Sequence, residues 1–441
     1  MFLLYIAAVW LATPASANWP TKFIFWGFCL FLWWTIGPHQ NLEFRISNFE
    51  FNRRWLLLPF SIFLIARLLP FFHWGEFPLG ADAGIYLKNL SFFSGELIYT
   101  IYIFLNFLVG WGVYLVTKEY FDKNAAFFSF LIFSLSISQF LAYWVFLCKA
   151  MPAIFLFLMA LYFLKRQFWL FVPTAGLISV IHSPTFLPVL PALILASIFH
   201  KKRRTVTLLS ALAIFLIFLF FHWKQDLFSY LYYLQTYLIA NNPLAFAKFV
   251  AGYFVEPEFY KSFLAFFYLP FAILGAIRSI AFKKFDFLFY FLITTLALIP
   301  LNFLFYNNRL IVILDLLLII FAGKPLSELA TLNLRTKTGL MLMALLLLLA
   351  SATLFYQSWR TEPVVNQTEL EEIKGFLKIE PDTAITTTDP FYQPVLYGFS
   401  GHSVAEEFSA TPSLVYHGRR SRFDFSPDKF EKITEHLYYQ N

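Results

Sequence analysis

The chain alternates long apolar runs with short polar breaks. The runs recur at about 20-residue spacing and are continuous, which suits membrane-spanning helices; a transmembrane barrel would alternate apolar and polar residues. Spans are predicted over Lys22–Gly37, Trp55–Phe72, Leu97–Val116, Ala125–Leu147, Pro152–Leu164, Thr205–His222, Tyr260–Ile280, Leu310–Gly323 and Leu340–Tyr356. Between Arg166 and Thr205 lies a two-span hairpin whose outer turn is His182-Ser183-Pro184-Thr185, and a further span rises to Tyr306-Asn307-Asn308-Arg309. Met1 to Ala17 reads either as a first short span or as a secretory signal, because an apolar core precedes Ala15-Ser16-Ala17 without a basic n-region. The pattern as a whole predicts a multispanning α-helical membrane protein of about 13 transmembrane helices.

Composition strengthens this reading. The 441 residues are 59% hydrophobic and 13% charged, include 60 Phe and have a mean hydropathy of +0.66, where soluble chains carry roughly 25% charge. The net charge of +7 does not point to nucleic acid. The basic groups fall in alternate loops (Arg45, Arg53 and Arg54; Lys118 and Lys123; Lys165 and Arg166; Lys201 to Arg204; Lys283 and Lys284; Lys324, Arg335 and Lys337), which the positive-inside rule assigns to the cytoplasm. Two outer loops then stand out, 73–96 and 223–259. The second is too polar for a span and reads as interfacial helices. Cys29 and Cys148 both lie in apolar runs and read as free buried thiols.

After Tyr356 the balance changes. Residues 357–441 hold 8 Lys+Arg against 13 Asp+Glu, a net of −5, whereas residues 1–356 carry +12. The expected division is a transmembrane domain, 1–356, and a small soluble extracytoplasmic α/β C-terminal domain, 357–441. In the tail, Thr368-Glu369-Leu370-Glu371 reads as a capping box opening a helix to Lys378. Ala384 to Thr388 reads as a strand.

Chemistry concentrates on the outer side. Gly75 to Tyr86 is a polar, glycine-rich island, in which Gly80 and Gly84 permit tight backbone around Asp82. A carboxylate held there can take a proton from an attacking hydroxyl, with Glu76 assisting or binding a metal. The same island can instead be a connecting loop in which Asp82 caps a helix. Arg309, Lys149 and Lys88 sit at outer helix ends, where they can hold phosphate or merely snorkel. His182 can bind a phosphate or sugar, or close its hairpin. Glu256 and Glu258, with His182 or Asp82, offer oxygen and nitrogen ligands to a divalent cation such as Mg or Mn, and Tyr86 stands on the acceptor or metal side. No motif requires a cofactor: there is no P-loop, dinucleotide glycine pattern, zinc motif or serine-hydrolase elbow. Arg67 and Asp315 lie inside spans, both roughly 8 to 9 Å below the outer boundary at about 1.5 Å per residue. They are expected to form a structural intramembrane pair.

The segment Gly80-Ala81-Asp82-Ala83-Gly84-Ile85-Tyr86-Leu87 resembles the early outer-loop acidic motif of GT-C superfamily glycosyltransferases. Ile181-His182-Ser183-Pro184-Thr185, Asn308-Arg309-Leu310-Ile311-Val312-Ile313-Leu314-Asp315 and the tail segment from Ile379 to Ile385 fit the same layout. The resemblance implies an integral protein of the cytoplasmic membrane that takes sugar from a polyprenyl-phosphate-linked donor, with inversion. The acceptor is a lipid, glycan or protein outside that membrane. It further implies Asp82 as base and Arg309 as the late-span arginine. The tail lacks the WWDxG-type motif of oligosaccharyltransferases, so the chain is more similar to protein mannosyltransferases or aminoarabinose transferases. A flippase or transporter of lipid-linked glycans, or a glycan polymerase or ligase, is the alternative.

Overall fold

The computed structural model describes residues 1–12, 19–36, 53–74, 95–144, 149–199, 203–222, 263–281, 286–298, 309–333 and 337–361, together with 368–369, 371–372 and five strands of the tail. The helices are α1 Phe2–Ala12, α2 Trp19–Ile36, α3 Leu57–Trp74, α4 Gly95–Tyr120, α5 Lys123–Leu135, α6 Ile137–Trp144, α7 Ala150–Arg166, α8 Phe168–Ile181, α9 Ser183–Phe186, α10 Val189–Phe199, α11 Arg204–His222, α12 Phe263–Ala281, α13 Phe287–Leu298, α14 Arg309–Asn333 and α15 Lys337–Arg360. Four stretches among the described residues are long and apolar enough to cross a membrane: Arg54–His73, Leu97–Tyr120, Arg204–His222 and Leu310–Thr331. A fifth is added if α5 and α6 count as one broken span. The chain is a helical membrane protein. Packing divides it into two units, one of residues 1–63, 107–139 and 149–354, the other of 64–106, 140–148 and 355–441.

The first unit is built on α14. Of its apolar stretch 89% is buried, against 28% for α11, so α14 is the interior helix and α11 leaves an apolar surface suited to lipid. Close approach to α14 depends on small residues. A Cβ on Gly323 would overlap Ser129 Oγ, and one on Gly275 in α12 would overlap the Phe321 carbonyl oxygen. Ser129 Oγ donates to Ile319 O across the same α5–α14 contact at 3.1 Å.

Two boundaries differ from the sequence expectation. The predicted break after Gly323 is absent, and α14 runs on through Lys324 and Pro325 to Asn333. Proline removes the N–H that would bond Phe321 O four residues back, and it is against this carbonyl that the Gly275 backbone packs. Conversely, the predicted single ascent from Ala125 to Leu147 is bent by 54° between α5 and α6. Ser136 ends α5 in an extended conformation (φ −69°, ψ 119°), and its Oγ accepts from Gln139 N at 3.2 Å, capping α6.

Ion pairs gather helix ends at one end of this unit. Asp122 caps α5 by accepting from Ala125 N at 2.8 Å and pairs with Lys324 Nζ at 2.7 Å. Glu328 pairs with Arg278 and lies 3.7 Å from Lys324. Lys165 Nζ donates to Glu119 O at 2.7 Å and lies over the Tyr120 ring, whose hydroxyl donates to Leu161 O. Lys165 of α7 thus meets the end of α4 and Lys324 of α14 the start of α5, while Arg278 of α12 meets Glu328 of α14. Asp286 caps α13 by accepting from Phe289 N at 3.3 Å. Burial pushes its carboxyl up to about 6, against the opposing effects of Phe289 N–H and Lys165. At the amino terminus, α1 packs on α2 and α12, with Tyr5 buried against Trp33.

In the second unit Ser358 Oγ donates to Ala66 O at 2.6 Å, and His73 packs on Trp359 with ring centroids 3.7 Å apart. The tail contributes strands β1 Ala384–Thr387, β2 Val404–Ala405, β3 Ser413–Tyr416, β4 Glu431–Lys432 and β5 Leu437–Gln440. They form one sheet in the order β2-β1-β3-β5-β4. β1 runs parallel to both β2 and β3, while β5 is antiparallel to β3 and β4. The strand expected from Ala384 is therefore the parallel centre of the sheet.

Replacing Gly323 by Ala is expected to lower stability by about 1–3 kcal/mol through overpacking. Gly27→Ala, where a Cβ meets nothing within 4 Å, is expected to be neutral or stabilising by up to about 1 kcal/mol. Thermal unfolding in detergent compares the two. For Asp286, folding favours the protonated carboxyl, so its contribution is full below the unfolded value of 3.8 and is lost as pH rises through about 6. Asp286→Asn keeps the cap, and it is expected to gain stability relative to the parent protein between pH 4 and 7, read from paired unfolding curves.

Candidate functional site

The polar centre of the first unit is Asp315, 2% exposed on α14. Its Oδ2 accepts from Ser136 Oγ at 3.0 Å and from Gln139 Nε2 at 2.8 Å, and its Oδ1 accepts from Tyr268 OH. Gln139 Nε2 also donates to Val312 O at 3.2 Å. Every side chain in this set is buried. A carboxyl group in an apolar interior is tolerated only when its oxygens are matched by donors, and the α5–α6 bend and α12 supply them here.

The end of this unit opposite the ion-pair network is closed by histidines. His182, half-buried, follows α8, and its Nδ1 accepts from Thr185 N at 3.3 Å and lies 2.8 Å from Thr185 Oγ1, capping α9. His222 Nε2 lies 2.6 Å from Ser179 O, and its ring stacks on Phe218, which stacks on Phe186. α7 and α8 pack together across the single connecting residue Gln167, which sets the start of α7 beside the end of α8. α9 packs on both α7 and α14. Since the C-terminal parts of α7 and α14 belong to the ion-pair end, their amino termini lie at the histidine end.

These elements carry three of the residues singled out in the sequence. Lys149 is exposed and precedes α7, without a side-chain cap bond to it; Arg309 is the first residue of α14; His182 caps α9. A helix amino terminus carries roughly half a positive charge, which favours an anion beside it. His182 is seen in the hairpin-closing role through Nδ1. Asp82, Glu76, Tyr86, Lys88, Glu256 and Glu258 lie outside the described residues.

Arg67 and Asp315 fall in different units, and each has partners within its own. Arg67, fully buried, donates from Nε to Asn106 Oδ1 at 3.2 Å and lies 5.9 Å from the centroid of the Tyr143 ring. Tyr102 stacks on Tyr143 and donates to its carbonyl at 2.8 Å. Sequence reasoning identified both charged groups from their depth, but not Ser136, Gln139, Tyr268, Asn106 or Tyr143. Polar residues of these types recur throughout the spans, and only folding shows which face a charge. No group of three or more His, Cys, Asp or Glu with metal-site geometry occurs among the described residues.

No protein-family profile matches the chain, and no curated protein matches it. Among solved structures, that of the Archaeoglobus fulgidus oligosaccharyltransferase tethered to an acceptor peptide is similar over 88% of this chain and 64% of its own, at 13% identity and TM-score 0.47. The same enzyme with zinc and sulfate matches over 79% and 62%, at 15% identity and TM-score 0.40. Its complex with an inhibitory peptide and a dolichol-phosphate matches over 88% and 65%, at 14% identity and TM-score 0.37. The chain therefore spans less than two thirds of the length of these structures.

Proposed function

We propose that the chain is a membrane glycosyltransferase that moves a sugar from a polyprenyl-phosphate-linked donor to an acceptor hydroxyl or amine on the outer face of the cytoplasmic membrane. The observation that supports this reading is that Lys149 precedes α7 and Arg309 opens α14, so that both cationic residues stand at helix amino termini. The acidic motif around Asp82, read from the sequence, is the candidate for the base that an inverting transfer also requires. The acceptor oxygen or nitrogen attacks the anomeric carbon while the Asp82 carboxylate takes its proton. The bond from that carbon to the donor phosphate breaks, and the phosphate leaves with the electron pair. Arg309 and Lys149 stabilise the charge that develops on it.

Glu76 and Lys88 belong to the same outer loop, as assistant to the base and as a further phosphate contact. Tyr86, Glu256 and Glu258 fall to the acceptor side, where the two glutamates are the candidates for holding a divalent cation. His182 directs Nδ1 into the α9 cap, so a metal-binding role would fall to its other ring nitrogen, and no step above requires a metal. The soluble tail, with the sheet of β1 to β5, belongs on the acceptor side in this reading.

One observation favours a second reading. The bend between α5 and α6 is a broken span of the kind that lines transporter sites, so flipping of a lipid-linked glycan without transfer is the rival. No second bent pair of this kind occurs among the described residues.

The test is sugar transfer from polyprenyl-phosphate donors by the purified chain in detergent or liposomes. Asp82→Asn is expected to lower the rate by about 10²–10⁴-fold. Undiminished transfer by that variant removes the base assignment, and donor translocation without any transfer favours the flippase. Arg309→Ala is expected to cost about 10–100-fold in kcat/KM for donor, from loss of a charge-assisted contact. An unchanged value removes Arg309 from the phosphate site.

A further inference from the structure

The proposed reaction leaves Asp315 without a role, although a buried carboxyl group in a membrane helix is costly. Its contacts show what it restrains. Ser136 and Gln139 belong to the bend between α5 and α6, and Tyr268 belongs to α12, so the carboxyl group is held from two other elements. Gln139 adds a second attachment at Val312 O, one turn nearer the start of α14. Arg309 lies three residues beyond Val312 and six before Asp315, about 9 Å along the axis at the standard helical rise. Rotating α14 by one residue, or sliding it by one turn, would break all four hydrogen bonds together. The contacts at Gly275 and Gly323 fall at the middle of the helix, on Phe321 and Gly323, further from Arg309 than Asp315 is.

We propose that Asp315 is a positioning residue for the donor site. It sets the axial and rotational position of the first turns of α14 and so places Arg309 against the donor phosphate relative to Lys149. The inference deepens the glycosyltransferase reading and rests on it for the identity of the anion. It does not rest on it for the geometry.

The hydrogen-bond pattern supplies its own conservative control. In Asp315→Asn the remaining oxygen can face Ser136 and Gln139, and the new amide can face Tyr268, whose hydroxyl reverses to accept. Asp315→Leu removes the carboxylate to which all three partners donate. Gln139→Leu is the milder second disruption, removing the bonds to Asp315 and Val312 while keeping the buried carboxyl group bonded to Ser136 and Tyr268.

Two measurements decide the matter. In steady-state kinetics with a polyprenyl-phosphate sugar, Asp315→Leu and Gln139→Leu are expected to raise the donor KM about tenfold with kcat changed less than about twofold, and Asp315→Asn to stay within about twofold of the parent. A loss of activity that follows only the folded fraction, with donor KM unchanged, overturns positioning and leaves a purely structural carboxyl group. The second measurement needs no activity. Spin labels on Lys149→Cys and Arg309→Cys, with Cys29→Ser and Cys148→Ser, report the distance between the two helix starts. Asp315→Leu and Gln139→Leu are expected to shift or broaden that distribution by several Å, on the order of one helical turn or less, and Asp315→Asn to reproduce the parent. Distributions that superimpose in all variants overturn the inference. If the parent protein transfers from no polyprenyl-phosphate donor while the distances respond as expected, the function reading fails and the positioning role stands.

Discussion

The structure of the first unit depends on one constraint, that a polar group inside a membrane protein must find its partners within the protein. Asp315 meets it with Ser136, Gln139 and Tyr268. In doing so it joins the interior helix α14 to the α5–α6 bend and to α12. The bend itself follows from the same requirement. Ser136 leaves the helical conformation, and its hydroxyl accepts from Gln139 N while donating to Asp315, so the break in the span costs few unmet hydrogen bonds. The three donors share one acceptor, so an apolar residue at position 315 would take a partner from all of them at once, which makes the set a single device.

Around that device the packing is governed by how closely backbones approach. Gly323 and Ser129 let α5 lie against α14, and Gly275 lets α12 lie against the carbonyl that Pro325 leaves without its helical donor. A proline that reads as a helix stop is accommodated because a neighbouring backbone covers the gap. The ion pairs among Asp122, Lys324, Glu328 and Arg278 then hold the far ends of the same helices. With one end held by charges and the middle by Asp315, the amino termini of α7 and α14 are left at the other end, beside the corner built on His182 and His222. That end is the one to which the proposed chemistry is assigned.

The second unit repeats the logic with different groups. Arg67, buried on α3, meets Asn106 and the face of Tyr143, and Tyr102 secures the Tyr143 carbonyl. The expectation that Arg67 and Asp315 would pair rested on their equal depth. Depth fixes only one coordinate of three, and helix rotation and neighbour identity decide what a side chain meets.

Much was legible in the residues alone. Long continuous apolar runs mean helices in lipid, because only a helix satisfies its own backbone there, and spans such as Trp55–Phe72, Leu97–Val116 and Thr205–His222 appear close to their predicted limits. The strand from Ala384 was legible too, and so was the place of Lys149, His182 and Arg309 at helix starts. What the sequence could not determine was the continuation of α14 past Gly323, the break at Ser136, and the choice of Ser136, Gln139 and Tyr268 as partners for one carboxyl group. These are decided by contacts between residues up to 179 positions apart, and a periodicity read along the chain contains no information about which faces of which helices meet.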